Sequence, residues 1–175
     1  EDADEQANVS YYAPAVKALE AGKFKEAARL LQNIRDYSDA DDLWKKAIYQ
    51  QALVEMKAFD FDAATALLKQ LPADYNDVAT LLKDCVYQPA QIAYSRGEYE
   101  AAIAGFTAVS DYSEAADMIR LCNYDWAAKK AQDGDYDGAI ALYEALGDYK
   151  DSAQKISEVR TMKAQALAST GALDN

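Results

Sequence analysis

Side chains that could do catalytic chemistry are scarce in this sequence of 175 residues. Histidine is absent, which removes the commonest general base and metal ligand. We find no glycine loop for phosphate, no nucleophile elbow and no paired-cysteine metal motif, and Cys85 and Cys122 are interpreted as small buried hydrophobic residues. Carboxylates alone could cleave glycosidic bonds, but these fall on predicted turns and solvent-facing surfaces. We therefore expect neither enzymatic activity nor a cofactor.

The densest group of oxygen ligands lies between Asp36 and Asp42, a segment that contains four aspartates. Oxygen-rich loops of this kind can hold Ca²⁺. The spacing differs from that of a calcium-binding loop, however, and similar turns with fewer acids recur along the chain. Turn formation and helix capping account for these residues, so we expect no metal site.

The net charge of −12 favours some partners and disfavours others. Such a surface repels phosphate backbones, so we expect no nucleic-acid binding and favour basic or apolar protein segments. An alternative is that the charge only keeps an apolar-rich protein in solution. No apolar run approaches the roughly 20 residues that span a bilayer, so we expect no direct membrane insertion. Because the chain starts at Glu1 without Met, we expect a processed or excised part of a longer protein.

The secondary structure that positions these side chains is indicated by a sequence repeat, which occurs four times at intervals of 37 or 38 residues. A period in this range indicates a solenoid, in which each unit covers the apolar face of its neighbour. We place the units at about 1–36, 37–74, 75–111 and 112–148 of a single domain, 1–175. Each copy has a first tyrosine, an alanine, a glycine (replaced by Phe59 in the second copy), an aromatic residue, a second alanine and a closing Asp-Tyr pair. The first tyrosines are Tyr12, Tyr49, Tyr87 and Tyr124, and the closing pairs begin at Asp36, Asp74, Asp111 and Asp148.

Spacings of three, four and seven residues between the columns predict two helices in each copy. A long helix, such as 39–58, ends just before the glycine column, where a glycine suits a left-handed cap, and a shorter helix follows, such as 136–146. Ser38, Asn76 and Ser113 are the predicted N-caps of the next long helices. The alanine columns are expected to let the helices approach closely.

Several departures from this sequence repeat are informative. Phe59 replaces the turn glycine of the second copy, and Pro72 lies in a loop that is one residue longer. An interior proline removes a backbone hydrogen bond, so we expect a kink near Pro89, whereas Pro14 is interpreted as a helix start. The C-terminal segment contains the first half of the repeat once more, with Ala164, Gly171 and Leu173 in register, and predicts a capping helix at 151–170.

At this point the residues resemble a known family, the tetratricopeptide repeat (TPR) proteins. The resemblance is carried by Ala127, Gly134-Asp135-Tyr136, Ala139-Ile140 and Tyr143, and it recurs one copy earlier. The period is longer than the usual 34 residues, and the turn Gly147-Asp148-Tyr149-Lys150-Asp151-Ser152 is similar to a variant common in large bacterial proteins. The resemblance implies an all-α, right-handed superhelical solenoid of four TPR-like hairpins plus a C-terminal capping helix, whose concave face binds protein segments.

The resemblance also implies which residues line the groove. The tyrosine column would form one ladder, and Tyr hydroxyls beside an apolar surface suit an apolar or amphipathic peptide. The alternative is that residues kept in every copy pack between units, which makes the variable positions the better ligands. The groove residues expected on these grounds are Tyr12, Tyr49, Leu53, Met56, Tyr87, Gln91, Tyr94 and Tyr124. The same columns continue in Ala128 and Ala131.

These observations predict a non-catalytic protein–protein interaction module that presents a groove to a peptide or protein partner. The alternative is a structural spacer or stalk of a larger, membrane-tethered bacterial protein, in which the groove has no dedicated ligand. Self-association through the C-terminal edge is a third alternative. Because similar repeats are often tethered outside the cytoplasm, an extracytoplasmic position is slightly favoured over a cytoplasmic one.

Overall fold

The computed structural model describes the backbone of residues 2–171 and the side chains of residues 5–171. Within this range the chain forms nine α-helices and no strand. Long and short helices alternate as the columns predict, and the short helix expected at 136–146 has these bounds. The helices are α1 (Asp2–Glu20), α2 (Phe24–Leu31), α3 (Ala40–Lys57), α4 (Phe61–Leu68), α5 (Val78–Ser95), α6 (Tyr99–Ala108), α7 (Ala115–Gln132), α8 (Tyr136–Leu146) and α9 (Ser152–Gly171). The helix predicted at 151–170 is therefore α9, whereas Leu173 lies outside the described residues.

Contacts divide the chain into two compact units, one ending at Cys85 and the other beginning at Val86. In the first unit α1 packs on α2, α2 on α3, and α3 on α4. In the second unit α6 packs on α7, α7 on α8, and α8 on α9. Within each unit these successive helices are therefore neighbours in space, which is the arrangement that short connections favour.

The two alanine columns form the contact surfaces of these helix pairs. Their eight members are at most 3% exposed: Ala15, Ala52, Ala90, Ala127, Ala27, Ala64, Ala102 and Ala139. One close approach is at Gly105 of α6, where an added Cβ would lie 2.7 Å from the Cβ of Ala90. Small side chains thus bring the helix backbones together, and the large residues Leu31, Leu68, Phe106 and Tyr143 fill the space beside them with at most 1% exposure.

The long helices α1, α3, α5 and α7 end in the same hydrogen-bonded turn. In α3 the N–H of Phe59 donates to Met56 O over 3.0 Å, and the N–H of Asp60 donates to Glu55 O over 2.9 Å. This pair of bonds defines a Schellman motif, whose left-handed residue is normally glycine. Gly22, Gly97 and Gly134 have φ of 72°, 73° and 87°, as predicted. Phe59 adopts φ 61° at the same position, so the second copy keeps the turn without its glycine.

The Asp-Tyr turns contain a second left-handed residue. Ser38, Asn76, Ser113 and Lys150 have φ of 51°, 45°, 50° and 50°. The prediction that Ser38 and Ser113 are N-caps is wrong, because the N-caps of α3 and α7 are the acids that follow them, Asp39 and Glu114. Asn76 also lies outside its helix, since α5 begins two residues later. The positive φ of Ser38 and Ser113 places both residues in the turn, whereas Asp39 and Glu114 have φ of −100° and −96°.

The interpretation of Pro14 as a helix start is also wrong, because α1 begins at Asp2 and continues through it. Proline at this position removes a hydrogen bond to the carbonyl of Ser10, but Ser10 is exposed, so water can satisfy that carbonyl. α5 likewise extends through Pro89 from Val78 to Ser95. The kink expected near Pro89 stays a prediction.

The left-handed conformation of Phe59 predicts an unusual ranking of substitutions. Phe59→Ala keeps the backbone strain and removes the ring, whereas Phe59→Gly removes both. We expect the glycine variant to be more stable than the alanine variant by about 1 kcal/mol in urea unfolding. Ala58→Gly is the control, because Ala58 has φ −84°, and there glycine should lower the stability. Equal stability of the two Phe59 variants would show that the turn carries no strain.

Candidate functional site

The first tyrosine of each copy contacts the Asp-Tyr turn that follows its own helix pair. The two tyrosine rings meet edge to face in every copy. Their centroids are 5.5 Å apart for Tyr12–Tyr37, 5.9 Å for Tyr49–Tyr75, 5.8 Å for Tyr87–Tyr112 and 6.0 Å for Tyr124–Tyr149. This geometry is favourable for aromatic rings. We refer to each of these contacts, together with the hydroxyl described next, as a tyrosine clip.

The hydroxyl of the clip donates to the acid that begins the next long helix. Tyr49 Oη donates to Asp77 Oδ1 over 2.6 Å. Tyr12 donates to Asp39 and Tyr124 to Asp151 in the same way. The third copy has a glutamate, Glu114, at this position, and its Tyr87 is 8% exposed and also packs against Phe106. The tyrosine column thus joins each long helix to the start of the next.

The hydroxyl bonds of the clips raise the pKa of the tyrosines and, in the fourth copy, lower the pKa of the acceptor. The hydrogen bond to Asp77 raises the pKa of Tyr49 to about 12, and the hydrogen bond to Asp151 raises the pKa of Tyr124 to about 12. The pKa of Tyr12 is raised by Asp39 for the same reason. A phenolate could not donate this bond and would be repelled by the carboxylate. Reciprocally, the Tyr124 hydroxyl lowers the pKa of Asp151.

The other residues predicted to line the groove have different environments. Leu53 and Met56 are half-buried on α3 of the first unit. Gln91 is exposed and Tyr94 is half-buried on α5, within the second unit. The Tyr94 hydroxyl donates to Asp125 of α7, which, with burial, raises the pKa of Tyr94. That these residues form one binding surface stays a prediction.

In the second unit the predicted columns border a hollow of about 280 Å³ between α7 and α9, with α8 at its base. Three of its residues, Tyr124, Ala128 and Ala131, belong to the predicted groove columns. We call this site the α7–α9 hollow; its lining residues are Tyr124, Ala128, Ala131, Gln132, Tyr143, Lys155, Glu158, Val159 and Met162. The last four belong to α9 and were not predicted. The signal that could have found the site is the drop in size from Gln91 and Tyr94 to Ala128 and Ala131 one copy later.

The hollow has an apolar base and a rim without net charge. Tyr143 is 1% exposed, and burial raises its pKa, so the phenol stays neutral. Its ring meets that of Tyr124 edge to face at 5.5 Å. On the rim, Lys155 Nζ lies 2.7 Å from Glu158 Oε2. This ion pair raises the pKa of Lys155 and lowers the pKa of Glu158. The arrangement suits an apolar group entering from solvent.

α9 is held against α8 by apolar packing and by two ion pairs. Val159 is 3% exposed, and Ile156 packs against the same core. Arg160 lies 3.2 Å from Glu144, and Lys163 lies 2.6 Å from Asp137. These contacts place Met162, which is 39% exposed, at the open side of the hollow.

Other groups with chemical potential are engaged elsewhere. Burial raises the pKa of the Cys85 thiol, and it raises the pKa of Cys122 to about 11, so neither is activated as a nucleophile. In the aspartate-rich turn, Asp41 pairs with Arg35 at 2.5 Å and with Lys45 at 2.7 Å. Among the residues that the structure describes, no group of acids or cysteines has a geometry that could hold a metal ion.

No protein-family model matches this chain, and no curated protein is significantly similar to it in sequence. None of the helices described between residues 2 and 171 is both long enough and apolar enough to span a bilayer.

The clips predict a loss of stability at alkaline pH. Unfolded tyrosine has a pKa of about 10, whereas Tyr49 and Tyr124 have pKa values of about 12 when folded. Their stabilising effect is therefore complete below pH about 10 and is lost as the pH rises to about 12. We expect Tyr124→Phe to cost about 1 kcal/mol at neutral pH and to reduce this alkaline loss.

Urea unfolding of the wild type and Tyr124→Phe across this pH range measures both effects. Tyr11→Phe is the control, because Tyr11 is 44% exposed and lies on the same chain without belonging to the column. If Tyr124→Phe had the stability and pH profile of the wild type, its hydroxyl bond would not contribute to the fold.

Proposed function

We propose that this chain is a non-catalytic protein–protein interaction module that binds a peptide or protein segment. In this proposal it is a right-handed superhelical solenoid of four TPR-like hairpins plus a capping helix, and the groove columns form its concave face. The recurrence of one helix–turn–helix geometry supports the repeat assignment. All four long-helix ends have a left-handed residue, and all four Asp-Tyr turns have another.

The chemistry of the side chains supports binding over catalysis. The clip hydroxyls of Tyr12, Tyr49 and Tyr124 donate to carboxylates, so both groups of each pair are occupied in contacts between helices. The cysteine thiols are buried and hard to ionise. A catalytic group needs a pKa near the working pH and access to substrate, and these groups lack one or both.

The observation that carries the proposal is the α7–α9 hollow. It lies on the predicted groove columns and has a base of aromatic and aliphatic side chains, with a rim ion pair that adds no net charge. An apolar concavity of about 280 Å³ that opens to solvent is therefore a natural place for a partner side chain.

The spacer alternative is favoured by one specific observation, which is the role of the tyrosine column. These four tyrosines are the most regular feature of the predicted groove, and each contacts the following turn. If the column serves only to join helices, the repeats need no ligand. The interaction function requires a partner to occupy the α7–α9 hollow, whereas the spacer function does not.

Filling the hollow separates the two functions. The chain accommodates tyrosine at position 94, which is one copy before Ala131, so we expect Ala131→Tyr to fold. Random-peptide display against the immobilised wild type should enrich peptides that bind Ala131→Tyr at least about tenfold more weakly, because occupied apolar volume is lost. Ala128→Leu is a second filling variant, since Leu53 is the equivalent residue of the second copy.

Helical circular dichroism and the urea midpoint must stay unchanged in the filling variants for the comparison to hold. Leu167→Ser is the surface control, because Leu167 is 63% exposed on α9 and does not line the hollow. The spacer function is supported if no peptide is enriched, or if every enriched peptide binds the filling variants as well as it binds the wild type.

A further inference from the structure

The crevice between α5 and α7 corresponds to the α7–α9 hollow one copy earlier, and it is filled by the protein itself. Tyr94 of α5 packs against the core of the second unit, and its ring meets Tyr99 edge to face at 6.2 Å. Its hydroxyl reaches α7 and donates to Asp125. A phenol ring with a carboxylate acceptor therefore occupies this crevice.

Two substitutions distinguish the α7–α9 hollow from that filled crevice. Ala131 stands 37 residues after Tyr94 and takes its place in the repeat. Met162 stands 37 residues after Asp125 and replaces the acceptor. Both Ala131 and Met162 line the hollow. The hollow thus lacks the ring, and it has a thioether where the filled crevice has its carboxylate acceptor. The carboxylate of Glu158 on the rim already accepts from Lys155 and Gln154.

We propose that the α7–α9 hollow binds the phenyl ring of a phenylalanine in a partner peptide, in the place that Tyr94 fills between α5 and α7. This inference rests on the proposed function and specifies its partner. The volume of about 280 Å³ is sufficient, since a cavity of roughly 150 Å³ can hold benzene. Tyr124 and Tyr143 offer ring edges, and the Met162 thioether makes favourable contacts with aromatic rings.

The replacement of Asp125 by Met162 selects phenylalanine over tyrosine. A ring that lies as Tyr94 does directs its para position towards residue 162. A tyrosine hydroxyl there would face a thioether, which is a weak acceptor, in place of the carboxylate that Tyr94 has, and would exchange part of its hydration for this poorer partner. We therefore expect phenylalanine to bind about tenfold more tightly than tyrosine.

Charge complementarity defines the residues that flank the phenylalanine. The rim ion pair of Lys155 and Glu158 is balanced, so the flanks experience the field of the whole protein, whose net charge is −12. Such a field attracts basic segments and repels acidic ones. The partner is therefore a peptide with a phenylalanine between lysines or arginines, and its affinity falls as salt is added.

Short Gly-Ser peptides with terminal lysines and a central Phe, Tyr or Ala are the probes for this inference. Binding is followed through the methyl signals of ¹³C-methyl-methionine protein. The chain has three methionines, Met56, Met118 and Met162, and only Met162 lines the hollow. We expect the Phe peptide to shift the Met162 signal about tenfold more effectively than the Tyr peptide, and the Ala peptide to leave it unchanged.

Met162→Asp restores the acceptor that Asp125 provides in the filled crevice. Binding to this variant is followed by fluorescence anisotropy of labelled peptides, and we expect the preference to reverse in favour of tyrosine. Leu167→Asp is the matched control, because it adds the same charge to α9 at an exposed residue that does not line the hollow. It should leave the preference for phenylalanine unchanged.

The outcomes separate this inference from the proposed function. Equal binding of the Phe and Tyr peptides, or an unmoved Met162 signal, overturns the phenylalanine assignment. The interaction function still stands in that case if displayed peptides lose binding to Ala131→Tyr. If they bind Ala131→Tyr unchanged, both fail. Met162→Asp alters an exposed side chain, so the test does not depend on the folding of a core variant.

Discussion

The tyrosine clip is the contact on which the regularity of this protein depends. Each clip joins a long helix to the turn that begins the next long helix, and it combines an edge-to-face ring contact with a hydroxyl bond to the first acid of that helix in three copies. The turn itself contains a non-glycine residue at positive φ, a conformation that costs of order 1 kcal/mol. The clip stabilises this conformation from outside the turn. Because donor and acceptor are about 27 residues apart, the bond also fixes how one helix pair meets the next.

The helices were predictable because their determinants are local and repeated. Alanine columns with spacings of three and four residues mark the faces that pack, and Ala27 and Ala64 are indeed fully buried. The N-caps could not be predicted in this way. Ser38 and Asp39 are both good caps in isolation, but Ser38 takes the left-handed conformation within the turn, with φ 51°. The geometry of the turn thus overrides a local preference.

The candidate site was predicted in part, and the reason is similar. Differences between the copies predict specificity at large residues such as Leu53, Met56, Gln91 and Tyr94. The hollow instead results from residues that became small, Ala128 and Ala131, beside a helix that presents Met162. A missing side chain creates a cavity only if neighbouring elements do not collapse into it. α9 is positioned on α8 by the packing of Val159 and Ile156, with two exposed ion pairs as a minor addition, and periodicity does not reveal how closely it approaches α7.

Tyr124 belongs both to a tyrosine clip and to the lining of the α7–α9 hollow. Its hydroxyl is held by Asp151, and its ring contacts Tyr149 and Tyr143 while bordering the α7–α9 hollow. The ring is therefore positioned before any partner arrives, which lowers the entropic cost of binding. A tyrosine that is kept in every copy can serve both architecture and recognition. Its hydroxyl then stabilises the fold, and its ring edge contacts the partner. The tyrosine column therefore does not have to belong to the core alone or to a groove alone. In each copy the size of the neighbouring side chains determines whether the tyrosine ring is covered or accessible.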